Sequence, residues 1–273
     1  MRTQLILIGI LIALIVVIIW AGQFISSHVG SLFLLLKDSD TDMVTVIEED
    51  DISLFELPEN FSARVFASGL DKPRVMIRDT GGVMLVSLIG DGTVVALPDR
   101  NLDGEADEVV VVREGLRRPH GLATHCFPTD EFGLEFDCKL YIAEEHQVAM
   151  YDYDDENLKA TNKETIIELP SGKGHNTRTI MFARTEEGER LLTSVGSSCN
   201  VCNEEDSRRA VILSSNADGS DVSVYARGLR NAVFMSAHPV TGDVWVTEMG
   251  RDWLGDDLPP DEINIIFGGG NFG

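Results

Sequence analysis

The sequence predicts an all-β fold of the β-propeller type, preceded by one N-terminal transmembrane helix. Stretches with helical periodicity are almost absent after residue 50. Short apolar or alternating runs punctuated by Gly, Asp, Asn and Pro take their place, which is typical of many short antiparallel strands. A loop-then-strand unit also recurs, and repeats of roughly 40–50 residues with about four strands each are typical of propeller blades.

The recurring unit is marked by four glycines, which are Gly69, Gly115, Gly172 and Gly228. They belong to the segments SGLDKPRVM, EGLRRPHGLA, PSGKGHNTRTIMF and RGLRNAVFMSAHP, and the steps between them are 46, 57 and 56 residues. Each segment is expected to precede a strand, so about four blades are predicted. The candidate strands are SARVFAS, VMLVSLI, GTVVALPD, EVVVV, KLYIAEE, QVAMYDYD, TIIELP, RLLTSVG, AVILSSN, VSVYAR, DVWVTEM and EINIIF.

Residues 1–36 are expected to anchor the chain in a membrane. No formally charged side chain occurs from Thr3 to Leu36, and Leu5–Trp20 is almost unbroken Leu, Ile, Val and Ala. This is long enough to cross roughly 30 Å of hydrocarbon as a helix. A cleaved signal peptide is the alternative, although it would have a shorter apolar region and an A-x-A-like site, which is not evident. Arg2 marks the cytoplasmic side, so we expect a single-pass protein of the cell membrane with its propeller on the periplasmic or extracellular side.

The charge balance limits the partners of the chain. Lys and Arg number 22 against 45 Asp and Glu, for a net charge of −23. Residues 37–54 are read as an acidic, solvated linker, and residues 55–273 as the propeller. A body this acidic is a poor binder of nucleic acid, because Lys and Arg supply most of the affinity for phosphates. It suits cations, neutral substrates or simple solubility.

The four cysteines are consistent with an oxidising compartment. Cys126 and Cys138 bracket one loop, and Cys199 and Cys202 form a C-x-x-C. Four cysteines allow three disulfide pairings, of which the two local pairs are the simplest. A zinc site is a poor alternative because the gap of the first pair does not match a zinc knuckle. A thioredoxin-like role is disfavoured because no βαβ pattern surrounds the C-x-x-C.

An acidic loop has the pattern of the start of a calcium site. In DRNLDGEADE, the oxygen-bearing side chains recur at alternate positions and belong to Asp99, Asn101, Asp103 and Asp107. The sixth position is Gly104. Alternating carboxylates converge on a hard cation, and glycine permits the sharp turn. The twelfth position is a valine rather than a bidentate Glu, and no helices flank the loop, so it is not an EF-hand. A turn stabilised by Asx side chains is the alternative.

Two further loops offer catalytic or ligand-binding groups. His175 lies in GKGHNTR, where a neutral imidazole could serve as a general base near pH 7. Arg230 and Asn231 lie in GLRN and pair a planar cation with an amide, which suits a ligand that bears carboxylates. Spacing alone favours the alternatives, a solvated histidine and an arginine paired with one of the many acids.

Beginning at GLRNAVFMSAHP, the last forty-odd residues closely resemble the glucose/sorbosone dehydrogenase family, which includes soluble glucose dehydrogenases that use pyrroloquinoline quinone (PQQ). GLRRPHGLA, GKGHNTR, SVGSSCNVCNEED and the DRNLDGEADE loop match the same family in the right order, and the sorbosone-type branch is the more similar. The resemblance covers about residues 55–273. It implies a six-bladed propeller, PQQ, calcium, and oxidation of a sugar or other polyol-like alcohol or aldehyde.

The resemblance also implies roles for single residues. His175 matches the catalytic base, and Arg230 and Asn231 match residues that hold the cofactor. The backbone carbonyls of Gly250 and Arg251 match ligands of the cofactor's calcium, while Glu262 and the backbone of Phe272 match a second, structural calcium site. Ser197 departs from the glucose branch, which has an Asp near the base.

The family runs on beyond NFG, so the chain is expected to be a fragment, a truncated gene product or one part of a split protein, and to show little activity alone. We expect a small-molecule sugar or polyol as substrate and an electron acceptor that the sequence does not identify. The alternative is a non-catalytic propeller that binds calcium, a carbohydrate or a protein partner. A calcium-dependent lactonase is a third reading, for which the required Glu, Asn and Asp ligands cannot be assembled.

Overall fold

A computed structural model describes residues 55–273, apart from positions 131, 133, 256 and 257. The predicted anchor at 1–36 and the acidic linker at 37–54 lie outside the described residues. Within the described part of the chain, no helix is both long and apolar enough to cross a membrane. All described residues belong to one compact unit, Ile47–Gly273.

The described residues form four β-sheets that follow one another along the chain. The first sheet contains β1 (Pro73–Arg78), β2 (Met84–Leu88), β3 (Thr93–Leu97) and β4 (Val110–Arg113). The second contains β5 (Leu122–Pro128), β6 (Phe136–Glu144), β7 (Gln147–Asp154) and β8 (Lys159–Glu168). The third contains β9 (Ile180–Thr185), β10 (Gly188–Val195), β11 (Val211–Ser215) and β12 (Ser223–Arg227). The fourth contains β13 (Ala232–Ala237), β14 (Val244–Glu248) and β15 (Glu262–Ile266), and β16 (Gly270–Asn271) joins the third sheet.

Each sheet is an antiparallel meander, and β16 runs parallel to β12 at the edge of the third sheet. The first strands of successive sheets contact one another, β1 with β5, β5 with β9 and β9 with β13. This is the arrangement of propeller blades around an axis. The structure therefore confirms the all-β prediction and a set of about four blades.

The hydrophobic cores lie between neighbouring sheets, and the alternation of side chains along a strand produces them. On β6, Leu140 and Ile142 belong to the core shared with the first sheet, whereas Tyr141 and Ala143 belong to the core shared with the third. Successive strand residues point to opposite faces, so a strand buried on both sides reads as an unbroken apolar run. The third and fourth sheets share a further core around Leu192, Ile212 and Val246.

The four repeated glycines mark equivalent points of the four sheets. Their φ angles are 72°, 71°, 86° and 79° at Gly69, Gly115, Gly172 and Gly228. Glycine adopts this left-handed region without the Cβ clash that other residues meet. The segments that they open run into the first strands β1, β5, β9 and β13, so each segment contains a strand rather than only preceding one.

The prediction that SARVFAS forms a strand is wrong. Residues 62–67 have no regular secondary structure, and Phe66 and Ala67 instead pack against the core on the outer face of the first sheet. An apolar run can be buried by lying across a sheet as well as by joining it, which periodicity alone does not distinguish.

Both predicted disulfides are confirmed. Cys126 and Cys138 lie opposite each other on β5 and β6 and are bonded. Cys199 and Cys202 are bonded within the loop that follows β10. The zinc alternative is excluded because all four thiols are consumed.

Candidate functional site

The predicted site residues of the acidic loop at Asp99 lie in the first sheet, whereas those of the third and fourth sheets lie around one group of loops. A cavity of about 460 Å³ lies among the loops there, and five of its lining residues were predicted from the sequence. These are Arg230, Gly250, Arg251, Glu262 and Phe272. His175 and Asn231 lie beside the cavity, each held by a residue that lines it. We call this space the site cavity.

His175 is fixed in one tautomer by Ser197. Its Nδ1 atom lies 2.9 Å from Ser197 Oγ and 3.2 Å from the Ser197 carbonyl oxygen. The Ser197 hydroxyl donates its own proton to the Cys199 carbonyl at 2.7 Å. Both oxygens that face Nδ1 therefore accept, so Nδ1 carries the proton and Nε2 has a free lone pair.

The electrostatic surroundings keep His175 neutral. Burial lowers the pKa of the imidazole, and the positive charge of Arg230 lowers it further, while the Ser197 carbonyl, Asp252 and Glu204 act in the opposite direction. The net shift is downward from the ordinary value of 6.5. A neutral imidazole with a bare Nε2 has the form that a general base needs.

Arg230 directs its whole guanidinium group at the protein. Nε donates to the Asn200 carbonyl at 3.0 Å, and Nη2 donates to Asn200 Oδ1 at 2.9 Å and to Asp252 Oδ2 at 2.7 Å. Nη1 donates to the carbonyl oxygens of Gly250 at 2.8 Å and Met249 at 3.2 Å. A guanidinium has five N–H donors, and all five are used here. Arg230 thus ties the disulfide loop to the loop that follows β14.

Asn231 is buried behind the site cavity and is held by Glu248. Its backbone N–H donates to Glu248 Oε1 at 3.0 Å, and its Oδ1 accepts from Thr177 Oγ1 at 3.2 Å. Burial raises the pKa of Glu248 to about 7, and Glu262 adds to the rise, while hydrogen bonds from the backbone of Asn231 and Arg230 oppose it. Glu248 is therefore a buried carboxyl group that titrates near neutrality.

Gly196 allows both His175 and Asn231 to pack closely against its backbone. A Cβ atom at this position would lie 2.6 Å from His175 Cβ and 2.8 Å from Asn231 Oδ1. Contacts below 3.0 Å force a neighbour to move. The site therefore depends on a residue without a side chain at the end of β10.

The carboxyl groups of Glu248 and Glu262 lie near Gly250, whose carbonyl oxygen was predicted to bind calcium. Glu248 and Glu262 are directly opposed on β14 and β15, so their side chains lie on one face of the sheet. Gly250 lies beside them, and Arg230 already donates to its carbonyl oxygen. Carboxylate and carbonyl oxygens are the donors that calcium prefers, but the Arg230 guanidinium occupies the Gly250 carbonyl oxygen, so a calcium ion bound there would have to displace that contact.

The acidic loop at Asp99 lies away from the site cavity, between β3 and β4 of the first sheet. Asp99 accepts from the backbone N–H groups of Asp103 and Gly104, and Asp103 accepts from that of Glu105. Asn101 Oδ1 accepts from Asp103 N–H, and Asp107 pairs with Arg100. These oxygens are engaged in Asx-type turns, as the alternative reading expects.

Close sets of metal-ligating side chains are scarce in the described part of the chain. Counting His, Cys, Asp and Glu, the described residues contain one group of three whose ligand atoms are mutually close, Cys199, Cys202 and Glu204. The disulfide occupies both of its sulfur atoms. Asp99, Asp103 and Asp107 do not form such a group.

Three contributors to the site were missed from the sequence. Glu248 could have been found from the alternation along β14, in which Val244, Val246 and Glu248 share the buried face. A charged residue on a buried face is unusual and indicates a specific role. Asn200 and Asp252 are 52 residues apart, and Asp252 N–H donates to Asn200 Oδ1 at 2.8 Å. No local pattern predicts a contact across that separation.

Comparisons with known proteins agree with this architecture. A family described as TrAA12-like matches residues 55–260. The holo PQQ domain of pyranose dehydrogenase from Coprinopsis cinerea is 22% identical, with a TM-score of 0.60 over 74% of this chain and 52% of that one. An iodide structure of a Carbohydrate-Active Enzymes family AA12 protein from Trichoderma reesei is 22% identical, with a TM-score of 0.61 over 77% and 57%. The PQQ-bound aldose sugar dehydrogenase from Streptomyces coelicolor is 20% identical, with a TM-score of 0.57 over 77% and 64%.

At these identities the solved structures establish the shared fold. An uncharacterized protein from Borreliella burgdorferi is 24% identical over 260 residues, which is 90% of this chain and 62% of the relative. The chain thus spans less than two thirds of the length of each of these relatives.

Proposed function

This chain belongs to the TrAA12-like family, and from that premise we propose that it is an oxidoreductase for a sugar or a related polyol-type alcohol or aldehyde, with PQQ and calcium as cofactors. The observation that carries the proposal is the convergence of three loops on one cavity. Arg230, Glu248 and Glu262 line this cavity, and His175 lies beside it through its contact with the lining residue Ser197. The site therefore offers a base, a cation and hard-ion ligands together.

The residues of the site cavity fit PQQ by their chemistry. PQQ is planar and anionic, and the lining combines the guanidinium groups of Arg230 and Arg251 with the apolar surfaces of Pro259, Pro260 and Phe272. The acids Glu204, Glu248 and Glu262 also line the cavity, so a bound calcium ion would have to offset their charge. When bound, PQQ would supply the two-electron sink, with calcium polarising its oxygens. Gly250 and Arg251 would hold that calcium, and Glu262 and Phe272 a second one.

The chain's own contribution to the reaction is proton removal and orientation. Nε2 of His175 would accept the proton of a substrate hydroxyl, because Nδ1 is held as a donor by Ser197. General bases contribute roughly 10²–10⁴-fold in rate. Arg230 and Asn231 would orient the cofactor, and burial of Asn231 against Glu248 keeps that part of the site rigid.

The setting of the enzyme is part of the proposal. The uncharged run in the first 36 residues supports a single-pass membrane anchor, and the disulfides Cys126–Cys138 and Cys199–Cys202 support export to an oxidising compartment. The protein would then act on the periplasmic or extracellular side and pass electrons to an acceptor that the site does not identify.

A non-catalytic propeller that binds a carbohydrate or calcium is the second candidate. One observation favours it, because all five donors of Arg230 are already bonded to protein oxygens. In that case the loops would form a rigid binding surface, and no redox cofactor would enter.

Reconstitution separates the two candidates. The protein, purified with the segment by which its family extends beyond NFG, is loaded with PQQ and calcium, and a panel of aldoses is screened with a dye as electron acceptor. We expect oxidation that falls by at least about 10²-fold in His175→Ala and is unchanged in His238→Ala, since His238 lies on the exposed β13–β14 turn. Sugar binding without PQQ binding or dye reduction would favour the second candidate.

A further inference from the structure

Among the described residues, Asp252 is the only charged partner of the Arg230 guanidinium. Its Oδ2 atom lies 2.7 Å from Arg230 Nη2. The other acceptors are the carbonyl oxygens of Met249, Gly250 and Asn200, together with the Asn200 side-chain amide. A guanidinium binds a carboxylate more strongly than a neutral carbonyl, so Asp252 provides the strongest single contact of Arg230.

The two partners differ in their freedom to move. The side chain of Arg230 is 13% exposed, whereas that of Asp252 is 54% exposed. The carbonyl acceptors are fixed by the backbone, and Asp252 is held to Asn200 through its backbone N–H and C=O groups. The Asp252 carboxylate can therefore turn into solvent while the loop stays in place.

An external carboxylate would use the same Nη2 donor. We propose that Asp252 is an internal counter-ion of Arg230, which a carboxylate-bearing ligand of the site cavity displaces, and that Asp252 thereby limits the affinity for that ligand. This inference rests on the proposed function in so far as PQQ is the ligand. Its chemistry applies to any small polycarboxylate.

The charges of the cavity strengthen the effect. Its lining contains the cations Arg230 and Arg251 and the acids Glu204, Glu248 and Glu262. An anion that enters thus meets a surface without an excess of positive charge. Neutralising Asp252 both frees a donor and removes one like charge, and both changes favour the anion.

The chain contains a matched ion pair at a different place. Arg190 is 5% exposed and pairs at 3.0 Å with Asp221, which is 69% exposed. Neither Arg190 nor Asp221 lines the site cavity. Asp221→Asn therefore changes the charge by the same amount and breaks the same kind of pair without freeing a donor in the cavity.

The test compares binding constants of the full-length protein and its Asp252→Asn, Asp252→Ala and Asp221→Asn variants. PQQ is titrated with calcium present and followed by absorbance, and citrate is titrated in calcium-free buffer by calorimetry. Exposed ion pairs contribute little, so we expect about two- to fivefold tighter binding of both probes to the Asp252 variants. Asp221→Asn should bind as the unmodified protein does. In an Arg230→Gln background the gain should disappear, because the donor is gone.

Equal or weaker binding to both Asp252 variants would overturn the inference, as would an equal gain in Asp221→Asn or a gain that survives Arg230→Gln. If PQQ binds to none of the proteins, the proposed function fails, while citrate still decides the role of Asp252. Failure of both probes to bind any variant rejects both.

Discussion

Ser197 connects His175 to Arg230. Its carbonyl oxygen accepts from the backbone N–H of His175 at 2.9 Å, and its own N–H donates to the carbonyl oxygen of Arg230 at 2.7 Å. Its side chain adds the 2.9 Å contact to His175 Nδ1. One residue at the end of the third sheet thus holds the proposed base and the proposed cofactor-binding arginine in fixed relation.

The charges around His175 should move its pKa in opposite directions. Arg230 lowers the pKa and Asp252 raises it. We therefore expect a pKa below 6.5 in the unmodified protein, a higher value in Arg230→Gln and a lower one in Asp252→Asn. NMR titration of the imidazole, assigned with His175→Gln, measures all three. Identical values in the three proteins would contradict the described arrangement.

Gly196→Ala should damage the site without a change of charge. The added methyl would lie 2.6 Å from His175 Cβ, and overpacking of this kind costs about 1–3 kcal/mol. We expect lower stability in urea together with weaker PQQ binding. Gly81→Ala is the control, because its methyl would meet a single atom at 3.5 Å. Normal binding by Gly196→Ala would mean that the close packing of His175 and Asn231 against Gly196 is not needed for the site.

Removal of either disulfide should lower the stability of the protein, but removal of only one of them should lower its affinity for PQQ. Loop-closure entropy predicts a loss of about 3 kcal/mol for Cys126→Ser/Cys138→Ser and about 2 kcal/mol for Cys199→Ser/Cys202→Ser. PQQ affinity should fall in the second variant alone, because Asn200 lies inside that loop and accepts two bonds from Arg230. Urea unfolding and PQQ titration give the two quantities. Weaker binding only in the Cys126→Ser/Cys138→Ser variant would contradict this prediction.

His120 should make the protein sensitive to acid. It is 1% exposed, its Nδ1 faces the Arg178 carbonyl, and its Nε2 has no hydrogen-bond partner among the described residues. Burial, and after it the charge of Arg74, lowers the pKa of His120 from 6.5 to about 4. As the pH falls, His120 is protonated in the unfolded chain before it is protonated in the folded one. The folded state therefore has its full stability with respect to His120 above pH 6.5, and it loses part of that stability as the pH falls toward 4.

The expected loss from His120 between pH 7 and 4.5 is about 2–3 kcal/mol. His120→Asn keeps a donor near Nδ1 but does not titrate. Its urea-unfolding free energy should therefore fall less over this pH range, whatever its stability at pH 7. The same fall in both proteins would show that His120 is not the group responsible.

Strands that are buried on both faces were predicted correctly from the sequence. β6 and β10 have apolar residues on both faces and were found as continuous runs. The first strands β1 and β13 were missed because they are largely exposed; β1 buries only Val75, and β13 buries Ala232 and Met235. Such strands lack the apolar pattern on which prediction depends, although the repeated glycines marked where they begin.

Residues of the candidate site were named from the sequence, but the hydrogen bonds between them were not. His175, Arg230 and Gly250 were found by resemblance, yet the bond from Arg230 to Gly250 crosses 20 residues and is set by the packing of two loops. Hydrogen bonds between distant loops leave no local pattern in a sequence. Asp252 was missed for the same reason.

A crystal structure of the full-length protein with PQQ and calcium tests the central claim most directly. The account predicts PQQ in the site cavity, with a carboxylate on Arg230 and the cofactor facing His175 Nε2. PQQ bound outside the site cavity would contradict it. So would a structure at saturating PQQ in which the cavity holds no PQQ and Arg230 keeps all its contacts with the protein.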